Sequence, residues 1–226
     1  MSCCGETPRR FAYDGGQVVA ALGCSDAGGA RVARVSRGPC PGDLLHIDSK
    51  RFVRFSRPGH AVTGDRHLTG AEKRMRIGYE WVHSIVDDHT RYAYSELDRD
   101  ERAATVTAFV ERALAHFAAL GIEPKRLLSD NAWAYRHNRS LRELLQAHGI
   151  EHRFIQPRRP QTNGKVERYQ QTLKREWGLG RIYHSSDHRA RALSHWLDYD
   201  NTRRPHSSLG GRPPTSRVHN LPRQDS

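Results

Sequence analysis

The chain has 226 residues, with 37 Lys and Arg against 25 Asp and Glu and a formal charge of +12 at pH 7. That length fits one sizeable domain, or one domain with a short arm. No stretch approaches the roughly 18–20 consecutive apolar residues of a membrane helix, which argues against an integral membrane protein, and 4 Trp, 8 Tyr and 6 Phe with clear apolar periodicity argue against a wholly disordered chain.

The basic excess asks for a polyanionic partner without naming it. It is uneven: residues 1–40 and 41–150 each carry +2, whereas residues 151–226 carry +8. Of the 37 basic residues 32 are Arg, whose planar fork grips phosphate. A coding bias toward Arg explains that ratio equally well, but not the clustering.

Residues 1–40 hold all four cysteines (Cys3, Cys4, Cys24, Cys40) at no zinc-site spacing and show little periodicity. They read as a poorly structured arm. The cysteine-free remainder has no disulfides, so a reducing, cytoplasmic compartment fits. Leu44–Asp48 then reads as a strand bounded by Pro41-Gly42, which Arg51–Phe55 either continues or pairs with. Residues 56–76 read as a loop. Tyr79–Val86 is a second strand, Asp87–Thr90 a turn whose acids are structural, and Tyr92–Leu97 a third strand.

Over residues 101–120, Val106, Phe109, Val110, Ala113, Leu114 and Phe117 recur at helical spacing, and Gly121 stops the helix. Arg126–Ser129 is a short strand, 140–148 a helix with Leu141, Leu144 and Leu145 on one face, and Arg153–Ile155 another strand. Residues 157–160 are loop, 163–177 helix, and 186–200 a helix with Ala192, Leu193, Trp196 and Leu197 inward. A meander followed by alternating helices and strands predicts an α/β mixed sheet covered by helices. The segment 41–202 reads as the main domain, and 203–226 as a basic Pro/Gly-rich tail.

Two acids sit where apolar strands end. Asp48 shares a strand face with His46, opposite Leu45 and Ile47, and Asp130 follows Leu127-Leu128-Ser129. Ligands gather at such carboxyl ends. Glu167 lies on the helix that begins near Asn163. Taken singly, an Asp at a strand end is usually a turn former and a helical Glu is usually solvated. Together, two aspartates on neighbouring strands and a glutamate crossing above them make three hard oxygen ligands suited to Mg²⁺. A pair of such ions clamps in-line phosphoryl displacement. His46 is expected to be packed or hydrogen-bonded.

The segments Leu45-His46-Ile47-Asp48-Ser49-Lys50, Ser129-Asp130-Asn131 and Pro160-Gln161-Thr162-Asn163-Gly164-Lys165-Val166-Glu167-Arg168 resemble the integrase core of DDE transposases. The IS481-like group, related to retroviral integrases, is the nearest in pattern. Thirty-six residues separate Asp130 from Glu167, close to the family's usual spacing, and Arg204-Pro205-His206-Ser207-Ser208-Leu209-Gly210-Gly211-Arg212-Pro213-Pro214 is similar to the family's tail motif. The resemblance covers residues 41–217.

It implies an RNase H-like fold, a five-stranded mixed sheet flanked by helices, with Asp48, Asp130 and Glu167 binding two Mg²⁺ or Mn²⁺ ions. It implies cleavage of element ends and strand transfer into target DNA, by a homodimer or higher assembly. Asn163, Lys165, Arg168 and Lys174, with Arg158 and Arg159 in the preceding loop, are the expected DNA contacts; phosphate contacts add salt-dependent affinity.

Two departures stand out. Ala132 occupies a position where the family usually has Gly; a positive φ there would cost Ala roughly 1 kcal/mol. Residues 1–40 are also too short for the helix-turn-helix region that family members carry upstream, which suggests a truncated or frame-disrupted member. The alternatives are a catalytically idle DNA-binding remnant that interferes with a full-length transposase, and a nuclease acting on RNA–DNA hybrids.

Overall fold

β1 (Leu45–Val53) is one continuous strand, so Arg51–Val53 extend it rather than pair with it. The structure, a computed structural model, describes residues 40–65, 77–156 and 163–218. The predicted arm at residues 1–39, together with Arg158 and Arg159, lies outside the described residues.

β2 (Tyr79–Asp87) pairs antiparallel with β1 along its whole length, and β3 (Ala93–Asp98) adds antiparallel beyond it. β4 (Arg126–Ser129) and β5 (Glu151–Phe154) join the other side of β1 in parallel. The order β3-β2-β1-β4-β5 is the five-stranded mixed sheet the sequence predicts. A short turn joins the antiparallel β2 and β3, residues 54–78 connect β1 to β2, and helices separate β3 from β4 and β4 from β5, as parallel additions require. The helices are α1 (His60–Thr63), α2 (Ala103–Ala119), α3 (Trp133–Arg136), α4 (Arg139–Ala147), α5 (Gly164–Leu173) and α6 (Ser186–Thr202).

Strand alternation decides which helix each β1 residue meets. Leu45 and Ile47, with Ile85 and Leu127, pack on Val106, Phe109 and Val110 of α2 and on Leu141 and Leu145 of α4. Phe52, Val82 and Val86 form the opposite layer with Val166, Tyr169 and Leu173 of α5 and Leu193 of α6. Asp48 has the parity of Phe52, so it belongs to the α5 side of the sheet.

The helix expected over 163–177 changes character after Leu173: Lys174–Gly178 forms a π-helical turn. The turn brings in Trp177, 1% exposed, whose ring packs edge-on against Phe52 at 5.2 Å and whose Nε1 donates to Arg189 O at 2.9 Å. Gly178 is needed there, because a Cβ would lie 2.4 Å from the Phe52 ring. Past α6, residues 203–218 of the Pro/Gly-rich tail are ordered against the domain. They fold through 3₁₀ turns at Ser207–Leu209 and Pro214–Arg217, and Val218 enters the α2–α4 core. Asn201 pairs its amide with both backbone groups of Ala93 on the edge strand β3, at 2.9 Å each, which covers part of an exposed sheet edge.

Arg189 of α6 anchors that helix to the sheet. Its guanidinium donates to Glu80 Oε1 and to Val53 O, both at 2.7 Å, and lies over the rings of Phe52, Phe55 and Trp177. Both partners are nearly enclosed, with side chains 5% and 11% exposed. Removing one member of a buried pair strands the other charge, so Arg189→Ala is expected to lower stability by about 3–5 kcal/mol in urea unfolding. The paired Arg189→Met/Glu80→Leu variant should lose less.

Candidate functional site

β1 and β4 run side by side in parallel, with His46 opposite Leu128. Asp48 and Asp130 each lie two residues beyond that pair, on one side of the sheet; Asp130 follows the end of β4, whereas Asp48 stays inside β1, which continues to Val53, and so does not end a strand as the sequence suggested. Glu167 stands in the first turn of α5, the helix that covers this side.

Burial pushes the Asp48 carboxyl up, Asp130 and Glu167 push it further, and the Ser49 N–H and Lys50 oppose them; the result is about 6. The three acids therefore share one field. Each aspartate has one oxygen fixed by the backbone: Asp48 Oδ1 accepts from Ser49 N and Asp130 Oδ1 from Ala132 N, both at 2.9 Å. Ala132 sits at φ −59° and ψ 149°, so the strain expected from its replacing Gly does not arise.

Among the described residues, no three His, Cys, Asp or Glu side chains converge closely enough to hold a metal ion. The acids are electrostatic neighbours rather than a closed cage. Their donor chemistry nevertheless suits a small hard dication: hard carboxylate oxygens, with only Oδ1 of each aspartate hydrogen-bonded among the described residues.

Two aromatic residues beside the acids had no signal in the sequence pattern. Tyr135 is 3% exposed and its hydroxyl has no hydrogen-bond partner among the described residues; the Ser49 hydroxyl is nearby but out of bonding geometry. Burial, with Asp48 and Asp130 close by, keeps the phenol protonated well above its usual range. Trp133 is 77% exposed and stacks on His137 with ring centroids 3.9 Å apart.

A buried polar clamp ties β1 to α5. Asn163 does not cap the helix it precedes. Its amide nitrogen donates to Ile47 O at 3.3 Å and its Oδ1 faces His46 Nδ1 at 3.0 Å. His46 Nε2 lies 3.0 Å from Asp88 Oδ1, which Lys165 and Arg91 also reach. Two oxygen neighbours call for two ring protons, while burial, with Lys165 and Arg91 nearby, pushes the ring's pKa down to about 4. The short contacts carry more weight, since an unprotonated nitrogen would set its lone pair against a buried oxygen. His46 is thus held between Asn163 and Asp88 by both ring nitrogens. The clamp joins the residue before Asp48 to the turn that carries Glu167.

The structure separates the expected DNA contacts. Asn163 is 3% exposed and committed to the clamp, so its side chain is not available to phosphate. Lys165 pairs with the enclosed Asp88, which makes it part of the clamp, and lines a cleft together with the exposed Arg168. Lys174 is exposed at the start of the π turn. Asp87 is structural, as expected: it accepts from Gly42 N and from Thr90 N and Oγ1.

The sequence matches two family models, each described as Integrase core domain, over residues 39–160 and 148–214. It is 34% identical over 131 residues to the uncharacterized protein K02A2.6 of Caenorhabditis elegans, spanning 58% of this chain and 10% of that protein. It is 31% identical over 132 residues to an uncharacterized 39.2 kDa protein of insertion element IS476 from Xanthomonas euvesicatoria, spanning 58% of this chain and 37% of that protein. The chain thus matches well under half the length of either relative. In fold it is similar to the HTLV-2 integrase catalytic core domain solved in complex with magnesium, with TM-score 0.56, 15% identity, and coverage of 81% of this chain and 100% of that one.

Raising the Asp48 pKa from 3.8 to about 6 means the folded chain holds that proton more tightly than the unfolded one. Stability therefore falls as pH rises from about 4 to 6, and the penalty is fully present at pH 7. Asp48→Asn is expected to stabilise by up to roughly 3 kcal/mol at pH 7, at about 1.4 kcal/mol per pKa unit, and by almost nothing at pH 3. Urea unfolding at the two pH values checks this.

Proposed function

Because this chain belongs to the integrase core family of DDE transposases and integrases, we propose that it carries out phosphoryl transfer on DNA, cutting the ends of an insertion element and joining them to target DNA. The tail motif from Arg204 to Pro214 supports placing it in the IS481-like group. Asp48, Asp130 and Glu167 are the residues that would hold Mg²⁺ or Mn²⁺, as a pair of ions. Bound divalent ions supply positive charge that polarises a phosphate and makes an attacking hydroxyl more acidic.

The observation that carries this reading is the placement of the three acids: Asp48 and Asp130 lie on one side of adjacent parallel strands, and Glu167, on the helix covering that side, is near enough for both partners to act on the Asp48 carboxyl. Tyr135 keeps its proton and presents a buried hydroxyl beside Asp48 and Asp130. Trp133, exposed three residues after Asp130, offers a face on which a base can stack. Lys174, on the side of α5 that carries Glu167, adds a phosphate contact. Joining two ends requires two active sites, so the working form is a homodimer or larger on DNA.

The idle DNA-binding reading has one observation in its favour, the absence of a closed cluster among the described acids. The purified chain, incubated with Mn²⁺ or Mg²⁺ and DNA carrying candidate element ends, separates the two. Nicking or joining by the wild type, lost in Asp48→Asn, Asp130→Asn and Glu167→Gln, supports the enzyme. Equal DNA binding by all four with no cutting supports the idle form. Trp133→Ala should weaken binding to frayed ends by roughly 5- to 100-fold, from about 1–3 kcal/mol per stacked base, read by fluorescence anisotropy.

A further inference from the structure

On the face of α5 turned away from Glu167, a cleft of about 550 Å³ opens toward the β2–β3 turn and the chain that follows α6. Lys165, Arg168, Thr172 and Arg175 recur along this face at helical spacing and form one wall. At about 100° per residue, Glu167 lies roughly 120° round the helix from the centre of that row. The cleft is therefore separate from the three acids.

Five of its lining side chains carry fixed positive charge, and one, Asp200, is a carboxyl group. Some of the cations are already held: Lys165 and Arg91 by Asp88, and Arg204 by Glu176 and Asp200. Arg175 reaches Glu176 only at 3.7 Å and is 75% exposed, and Arg168 has no ion pair among the described residues. The mouth of the cleft thus presents two open guanidinium groups, the donors that suit phosphate.

Asp200 makes this more than a basic patch. It is 1% exposed, its Oδ1 lies 3.5 Å from Arg204, and its Oδ2 is buried without a hydrogen-bond partner among the described residues. Burial pushes the carboxyl up to about 7 against the pull of Arg204, with Glu176 adding to the rise. A buried acceptor left unmatched costs about 1–3 kcal/mol, which an entering N–H donor would recover. Phosphate alone has no such donor. A nucleotide has both parts, since adenine, cytosine and guanine each carry an amino group. The volume falls in the range that encloses small ligands, and a duplex would not enter it.

We propose that this cleft holds one unpaired nucleotide of a DNA strand, with its phosphate on Arg168 and Arg175 and the amino edge of its base turned to Asp200. The proposal rests on DNA being the partner, as argued above, and adds a second contact on the other side of α5. A strand held there would be gripped at a point remote from the acids, so that the chain could retain DNA without engaging its reactive phosphate.

Fluorescence anisotropy with labelled oligo(dC) and an abasic oligomer of equal length, across a salt series, tests this on the full chain. The wild type should bind oligo(dC) about tenfold more tightly than the abasic strand. Arg168→Ala and Arg175→Ala, both at exposed positions, should each reduce the salt slope by about 0.7, the value for one phosphate contact on a single strand. Asp200→Ala should erase the preference for oligo(dC). Because that variant removes a buried group, photo-crosslinking of the wild type to 5-iododeoxycytidine provides an independent check, with attachment expected at Tyr169 or His206.

Unchanged slopes in both Arg variants, crosslinks elsewhere on the chain, or equal binding of abasic and base-bearing strands would each overturn the proposal while leaving DNA as the partner. No binding to either strand would overturn both.

Discussion

Like charges brought together on one side of the sheet are the constraint on which this molecule turns. Asp48, Asp130 and Glu167 come from two strands and a helix far apart in sequence, and their closeness is unfavourable in the absence of a counter-charge. The fold must supply the energy that holds them there. Two hydrophobic layers do so, one on each face of the sheet, with β1 contributing to both. Loss of either layer would release the acids from one another.

The second requirement is positional. Hydrophobic packing sets the distance between helix and sheet but allows α5 to slide or turn. Asn163, His46 and Asp88 remove that freedom through directed contacts between the start of α5 and the middle of β1. A buried polar group is costly unless matched, so a matched set penalises every other register. Asn163 forgoes helix capping for this role, and the loss of a cap, about 1 kcal/mol, is the smaller effect.

α5 is consequently used on three sides. Val166, Tyr169 and Leu173 face the sheet, Glu167 faces the two aspartates, and Lys165 and Arg168 face the cleft. The π turn that follows seats Trp177 in the core while Arg175 stays at the cleft. The segment after α6 completes this arrangement. Its prolines and glycines form tight turns that bring Arg204 and His206 against Asp200.

Local pattern was enough for the sheet and most helices, because alternation and 3- to 4-residue spacing are properties of neighbouring residues. The same spacing picked out α2 and its six buried side chains without ambiguity. Two of the candidate acids were legible for the same reason, Asp130 just after a strand and Glu167 in the first turn of a helix, whereas Asp48 lies inside β1 rather than at its end. What the sequence could not assign was the direction in which polar side chains point. Asn163, Lys165 and Glu167 lie within five residues of one another, yet one is buried in a clamp, one pairs with an enclosed aspartate and one faces the acids. Asp200 and Tyr135 likewise became notable only when distant segments closed over them and left an oxygen unmatched. Periodicity determines which residues are apolar and on which face. Whether a polar group is matched, stranded or exposed depends on partners dozens of residues away, and only the tertiary structure brings those partners together.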